Sequence, residues 1–209
     1  VGPEVTVCDV AKIMQNKQKV VQLLGDLAIP VLGFYLWNWN IYFILLFFCL
    51  DMIGGEIALH LKAKKIIEVQ KGQTNLYWKT FGFVSLLVLC LNIVFIHFGM
   101  YVLHPEFDLF KEIVAFLSFT ELGIQQGYVL LPIIALMVFA QYKAEFLLPR
   151  KYLTIGFKEL FKRSIQLKIA ILIFNALLMV LVESLHPTEG ILLWIILIPV
   201  SFVNWVNKD

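Results

Sequence analysis

The stretch "IYFILLFFCLDMIGGEIALH" (41–60) opens as pure hydrocarbon and then takes in Asp51, Gly54, Gly55, Glu56 and His60. Twenty residues of helix reach about 30 Å, the thickness of a bilayer's hydrocarbon core. The length therefore reads as a membrane span. A carboxylate inside such a span is costly, so each one needs a partner, a route to water or a task.

Composition agrees with that reading. Of the 209 residues, 60% are hydrophobic and 15% are charged, and the mean hydropathy is +0.84. A soluble domain of this size needs more charged surface, which makes the class integral membrane. Six stretches are apolar enough to span: about 20–37, 41–61, 79–103, 124–146, 165–184 and 190–206. The expected fold is an all-α polytopic bundle of six transmembrane helices, forming one domain over residues 1–209. "WNWN" (37–40) and "SLHPTEG" (184–190) read as tight turns, whereas "KAKKIIEVQKGQTNLYWK" (62–79) and the segment around 147–164 read as longer polar connections. The first apolar stretch follows several lysines and is long enough to span, so no cleavable signal peptide is expected.

Basic residues orient the bundle, because loops rich in Lys and Arg stay cytoplasmic. Of the 17 Lys and Arg residues, all but Lys111 fall on one side of the six alternating spans, Lys168 being counted with them. Both termini are then expected in the cytoplasm and the protein in the cell inner (plasma) membrane. Trp37, Trp39, Trp78 and Trp205 stand at span ends, where indoles anchor to headgroups. In "PEFDLFKEIVAFLSFTEL" (105–122), Phe107, Phe110, Ile113, Val114 and Leu117 share one helical face, opposite Asp108, Lys111, Glu112 and Ser118. This reads as an amphipathic helix in the outer headgroups or, equally, as a helical extension of the fourth span. "GFKELFKRS" (156–164) reads equally as an inner surface helix or as an extension of the fifth span.

At 1.5 Å per residue, Asp51 lies about 16 Å below the outer surface, and Asn92 and Asn175 fall near the same level. Asp26 and Glu56 come nearer the inner face. These five are the candidates for an ion or proton pathway. Asp51 shares a helical face with Gly54 and Gly55, whose small size would admit a close neighbour carrying Asn92, Asn175 or a backbone donor. Glu56, His60 and Lys64 form a separate ladder at four-residue spacing, which reaches the cytoplasmic boundary. Near the outer face, His97, His104, Glu183 and His186 have the donor chemistry of a zinc or iron site. Axial histidines for a haem would need matching depth on different spans, and His60 and His97 fail that condition.

Other function classes lose ground. A net charge of +2, with no basic stripe, gives no case for nucleic acid. Cys8, Cys49 and Cys90 are odd in number and scattered, which argues against disulfides or a zinc cluster. HExxH, GxSxG, P-loop and GxGxxG motifs are all missing from the sequence.

Three stretches resemble a prokaryotic multi-pass membrane protein family of unknown function, domain of unknown function 6498. They are "LLGDLAIPVLGFYLWNWNIYFILLFFCLDMIGGEIALHLKAKK" (23–65), "FIHFGMYVLHPEF" (95–107) and "LFKRSIQLKIAILIFNALL" (160–178). The resemblance implies that Asp51 stands where the family has Glu. It places His97, Phe98, Gly99 and His104 in a His-rich element, and Arg163 at a basic position. Near Ser118 and Lys168, where the family suggests further histidines, this chain has none. The resemblance carries a fold and topology but no activity.

Three readings of function follow. The first is a non-catalytic scaffold or accessory subunit, partnered by the bilayer and by a second copy or another membrane subunit. The second is a small proton- or ion-coupled transporter using Asp51. The third, which would make the protein an enzyme, is a metal- or haem-dependent site at the outer histidines; the sequence names no cofactor.

Overall fold

A computed structural model describes residues 27–70, 75–103, 106, 108–118, 126–185 and 188–206. The secondary structure among these residues is helical. In chain order the helices are α1 (Leu27–Leu36), α2 (Ile41–Gln70), α3 (Asn75–Leu103), α4 (Leu109–Ser118), α5 (Gln126–Gln141), α6 (Phe157–Leu185) and α7 (Glu189–Val206). Among the described residues four helical stretches are long and apolar enough to cross a membrane: Ile41–Gln70, Lys79–Val102, Tyr128–Leu147 and Phe157–Leu185. Shorter apolar stretches occupy Leu27–Leu36 and Gly190–Pro199. The chain divides into two compact units, one of Val1–Ile44 with Pro187–Asp209 and one of Leu45–His186.

In the first unit, α1 turns into α2 through residues 37–40. Asn38 takes the left-handed conformation with φ 47°, which Asn tolerates better than most residues. The Gly33 carbonyl accepts from the Trp37 N–H at 3.2 Å and the Trp39 N–H at 2.9 Å. Asn40 caps α2, its side-chain oxygen accepting from the Phe43 N–H at 2.8 Å. The Trp39 indole folds over Gly33 and is buried. That corrects the expectation that Trp39 anchors at an interface.

In the second unit, side-chain contacts give the helix directions. His60 meets Gly82 and Glu56 meets Ser85, so α2 and α3 are antiparallel. Phe81 packs on Phe157 while Gly99 lies against Met179, so α3 and α6 are parallel. Gly54 sits under Ile134 and Val138, and Leu59, Ala63 and Ile66 reach Phe146 further on, so α2 and the Tyr128–Leu147 helix run parallel.

Two connections are more helical than the sequence suggests. Helix α2 continues through 62–70, a stretch read as polar loop. Lys, Ala, Glu and Gln are all good helix formers, and Ala63 and Ile66 bury in a cluster with Leu59, Phe146, Phe157 and Phe161. At its end Gln70 donates from Nε2 to the carbonyls of Tyr152 (3.0 Å) and Ile155 (3.2 Å). Helix α6 likewise begins at Phe157, making "FKELFKRS" (157–164) part of that span's helix. Between them, α5 runs into a π-helical turn over Tyr142–Leu147, where the Leu148 N–H bonds the Lys143 carbonyl at 2.9 Å. Arg150, with φ 56°, then reverses the chain.

Helix α4 forms within the stretch read as amphipathic, with Phe116 buried and Phe110 and Val114 exposed. Asp108 caps it by accepting from the Lys111 N–H at 3.2 Å. That backbone bond, with the Lys111 ammonium beside it, holds the Asp108 carboxyl below the usual carboxylate range. The cap therefore contributes at pH above the ordinary carboxylate range and is lost as pH falls through the lowered value. Asp108→Ala should speed amide exchange at Lys111 and Glu112 at neutral pH, with the difference from wild type closing in acid.

Candidate functional site

Apolar burial does little to pair helices within lipid, because lipid tails are as apolar as Leu. Polar side chains on inward faces therefore carry more of the specificity. On α3, Phe83, Leu87, Leu91, Val94 and Phe98 are exposed at helical spacing, and on α6 so are Ile169, Ile173, Leu177 and Val180. The opposite faces carry Ser85 and Asn92 on α3 and Lys168 on α6, all buried.

These faces meet Glu56 of α2. Its side chain is 6% exposed, and Lys168, 112 residues away in sequence, donates from Nζ to Glu56 Oε2. Ser85 donates from Oγ to the same oxygen at 3.0 Å, while Ser85 Oγ accepts from Lys168 Nζ. The other carboxylate oxygen, Oε1, accepts from His60 Nε2 at 3.0 Å. Glu56 is thus an anion held by three donors from three helices. The His60 ring stands edge-on to Phe161 at 5.9 Å, its side chain is 33% exposed, and its Cε1 faces the Gly82 α-carbon. A side chain on residue 82 would collide with the imidazole, so glycine there lets His60 reach the carboxylate.

No match to any family model, curated protein or solved structure is found for this chain. The chemistry of the site must therefore be read from its own geometry.

Ser85 and Lys168 superficially suggest a serine–lysine nucleophile. The hydrogen-bond directions oppose it, because Lys168 donates to Ser85 while Ser85 gives its own proton to Glu56. A general base would have to accept that proton instead. The arrangement instead holds the Glu56 carboxylate between three helices, with His60 as its partly exposed partner.

Of the sequence candidates, Glu56 and Asn92 both converge on Lys168. Asn92 donates from Nδ2 to the Lys168 carbonyl at 3.1 Å and to the Val88 carbonyl at 2.9 Å. Asn175 lies two turns beyond Lys168 on the same face of α6. Asp51 falls on an exposed side of α2, with Gly55 one turn on having open space around it. Its neighbour Gly54 admits Val138 and Ile134 of α5 instead of the asparagine-bearing helices. Within the four-residue ladder Glu56 bonds His60, and its ammonium partner comes from outside that ladder, from Lys168 of α6. Asp26, His104 and His186 lie outside the described residues. His97 donates from Nδ1 to the Ile93 carbonyl at 2.7 Å, and Glu183 is exposed near the end of α6. Among the described residues no three His, Cys, Asp or Glu side chains gather to hold a metal ion. Cys49 and Cys90 are free thiols.

Sequence reasoning missed Ser85 and Lys168. Lys168 was absorbed into the count of cytoplasmic basic residues. The signal that could have found it is its place in "LKIAILIF" (167–174), one lysine in an otherwise apolar run.

Proposed function

We propose that the chain is a small proton- or ion-coupled transporter of the cell inner (plasma) membrane, with Glu56 as the titrating group. The observation that carries this reading is the buried Glu56–Lys168 pair joined to Ser85 and to the partly exposed His60. Ionisable groups inside spans mark proton relays and ion paths in membrane proteins. A proton arriving through His60 would neutralise Glu56 and loosen its hold on Lys168, which gives the three helices two states to move between. The same proposal includes six spans, cytoplasmic termini, α4 lying in the outer headgroups and kinship with the prokaryotic family named above. The distribution of Lys and Arg supports the orientation.

Reconstitution tests it. Proton uptake into proteoliposomes should fall to the protein-free background in Glu56→Gln, while Asp51→Asn keeps wild-type uptake. Equal uptake by wild type and empty vesicles would overturn the proposal.

A second reading, an accessory or scaffold subunit, draws on the exposed mid-span placement of Asp51 and Gly55. It expects a second copy or partner subunit over that side of α2 and fails if cross-linking in native membranes from a cysteine at residue 55 yields no adduct.

A further inference from the structure

The α3–α6 seam carries polar groups beyond the ion pair. Asn92 is fully buried, and both its N–H groups are committed to the carbonyls of Val88 and Lys168. Its Oδ1 is buried and meets no protein donor among the described residues. Across the seam, Asn175 Nδ2 is also buried and meets no acceptor among them. A Cβ on Gly99 would lie 3.6 Å from Met179 Sδ, so residues 99 and 179 share a level. Counting back along two parallel helices puts Asn175 about one turn, or roughly 5 Å, beyond Asn92. One helix thus offers an acceptor and the facing helix a donor, both buried and without a protein partner among the described residues, about one turn apart in level.

We infer that Asn92 and Asn175 hold a buried water between α3 and α6. The water donates one hydrogen to Asn92 Oδ1 and accepts one from Asn175 Nδ2. Buried waters settle where two or more polar groups are otherwise unsatisfied and an apolar ligand would leave them so. The geometry also rules out the two amides acting as a ligand site for an anion or a cation. An anion would meet the Asn92 carbonyl oxygen, and a cation would meet the Asn175 amide hydrogens. The site itself stands on packing alone; its role as a further step for the proton beyond Glu56 rests on the transporter reading.

A structure of the wild-type protein in lipid, at a resolution that shows ordered solvent, tests this without any variant. The expected result is an oxygen within about 3.2 Å of both Asn92 Oδ1 and Asn175 Nδ2. Direct bonding between the two amides, or an acyl chain between them, would overturn it. Infrared difference spectra in H2(18)O give a second readout: an isotope-shifted O–H band in wild type that disappears in Asn175→Leu. A band that survives in Asn175→Leu would place the water elsewhere and also overturn the inference. The two proposals fail separately. Unchanged proton uptake in Glu56→Gln sinks the transporter reading and leaves the water in place, whereas paired amides remove the water and leave the transporter reading standing.

Discussion

Lys168→Met should destabilise the protein by about 3–5 kcal/mol, the usual cost of removing one partner from a buried ion pair. Methionine nearly matches the lysine stem in volume, so packing against α3 is preserved and the loss is electrostatic. Glu56, with its side chain 6% exposed, would keep its bonds to His60 and Ser85 but lose its ammonium partner. The remaining charge would have to acquire a proton, draw in water or pull α2 away from α6. The double variant Glu56→Gln/Lys168→Met removes both charges and retains an acceptor for Ser85. It should recover most of the loss, since exchanging a whole buried pair for neutral groups is often neutral or better. Thermal melting in detergent micelles measures both. A single variant that melts with wild type would mean that the pair contributes nothing to folding.

The second large effect is expected at Gly33. A Cβ there would press on two carbons of the Trp39 indole, Cε3 and Cδ2, well inside van der Waals contact. Trp39 is 3% exposed, so the ring has no open space to swing into. Its backbone is tied as well, because the Trp39 N–H bonds the Gly33 carbonyl at 2.9 Å. Gly33→Ala should therefore cost about 1–3 kcal/mol, the range for overpacking a filled site. Trp39→Leu in the same chain removes the colliding ring, so the two changes together should cost less than their sum, with a coupling of about 0.5–3 kcal/mol. Strictly additive losses would show that the ring and the glycine do not press on each other.

The apolar helices of this fold are legible from the sequence because hydropathy and length together leave few alternatives. The ends of those helices are less so. "KAKKIIEVQ" (62–70) carries loop-like charge and helix-like propensity at once, and what decides between them is Phe146, Phe157 and Phe161, far away in the chain. At the site, the His60–Glu56 bond follows from four-residue spacing, and a single helix suffices to read it. The Lys168 bond spans 112 residues, and no periodicity within one helix reports it. Asp51 drew attention as the deepest carboxyl group of α2. Five residues separate it from Glu56, which turns the two about 140° apart, so the neighbours that receive one cannot receive the other.

Helix α2 is also a lever. Its 30 residues make a rod about 45 Å long, and at Gly54 the side chain of Val138 bears directly on its backbone. Glu56 lies about 3 Å from that fulcrum and Gln70 about 24 Å. A tilt that separates Glu56 from Lys168 by a given distance would carry Gln70 roughly eight times as far by the same proportion. Gln70 is the residue fastened to the Tyr152 and Ile155 carbonyls, so those two bonds act as a mechanical stop on any motion that begins at the ion pair.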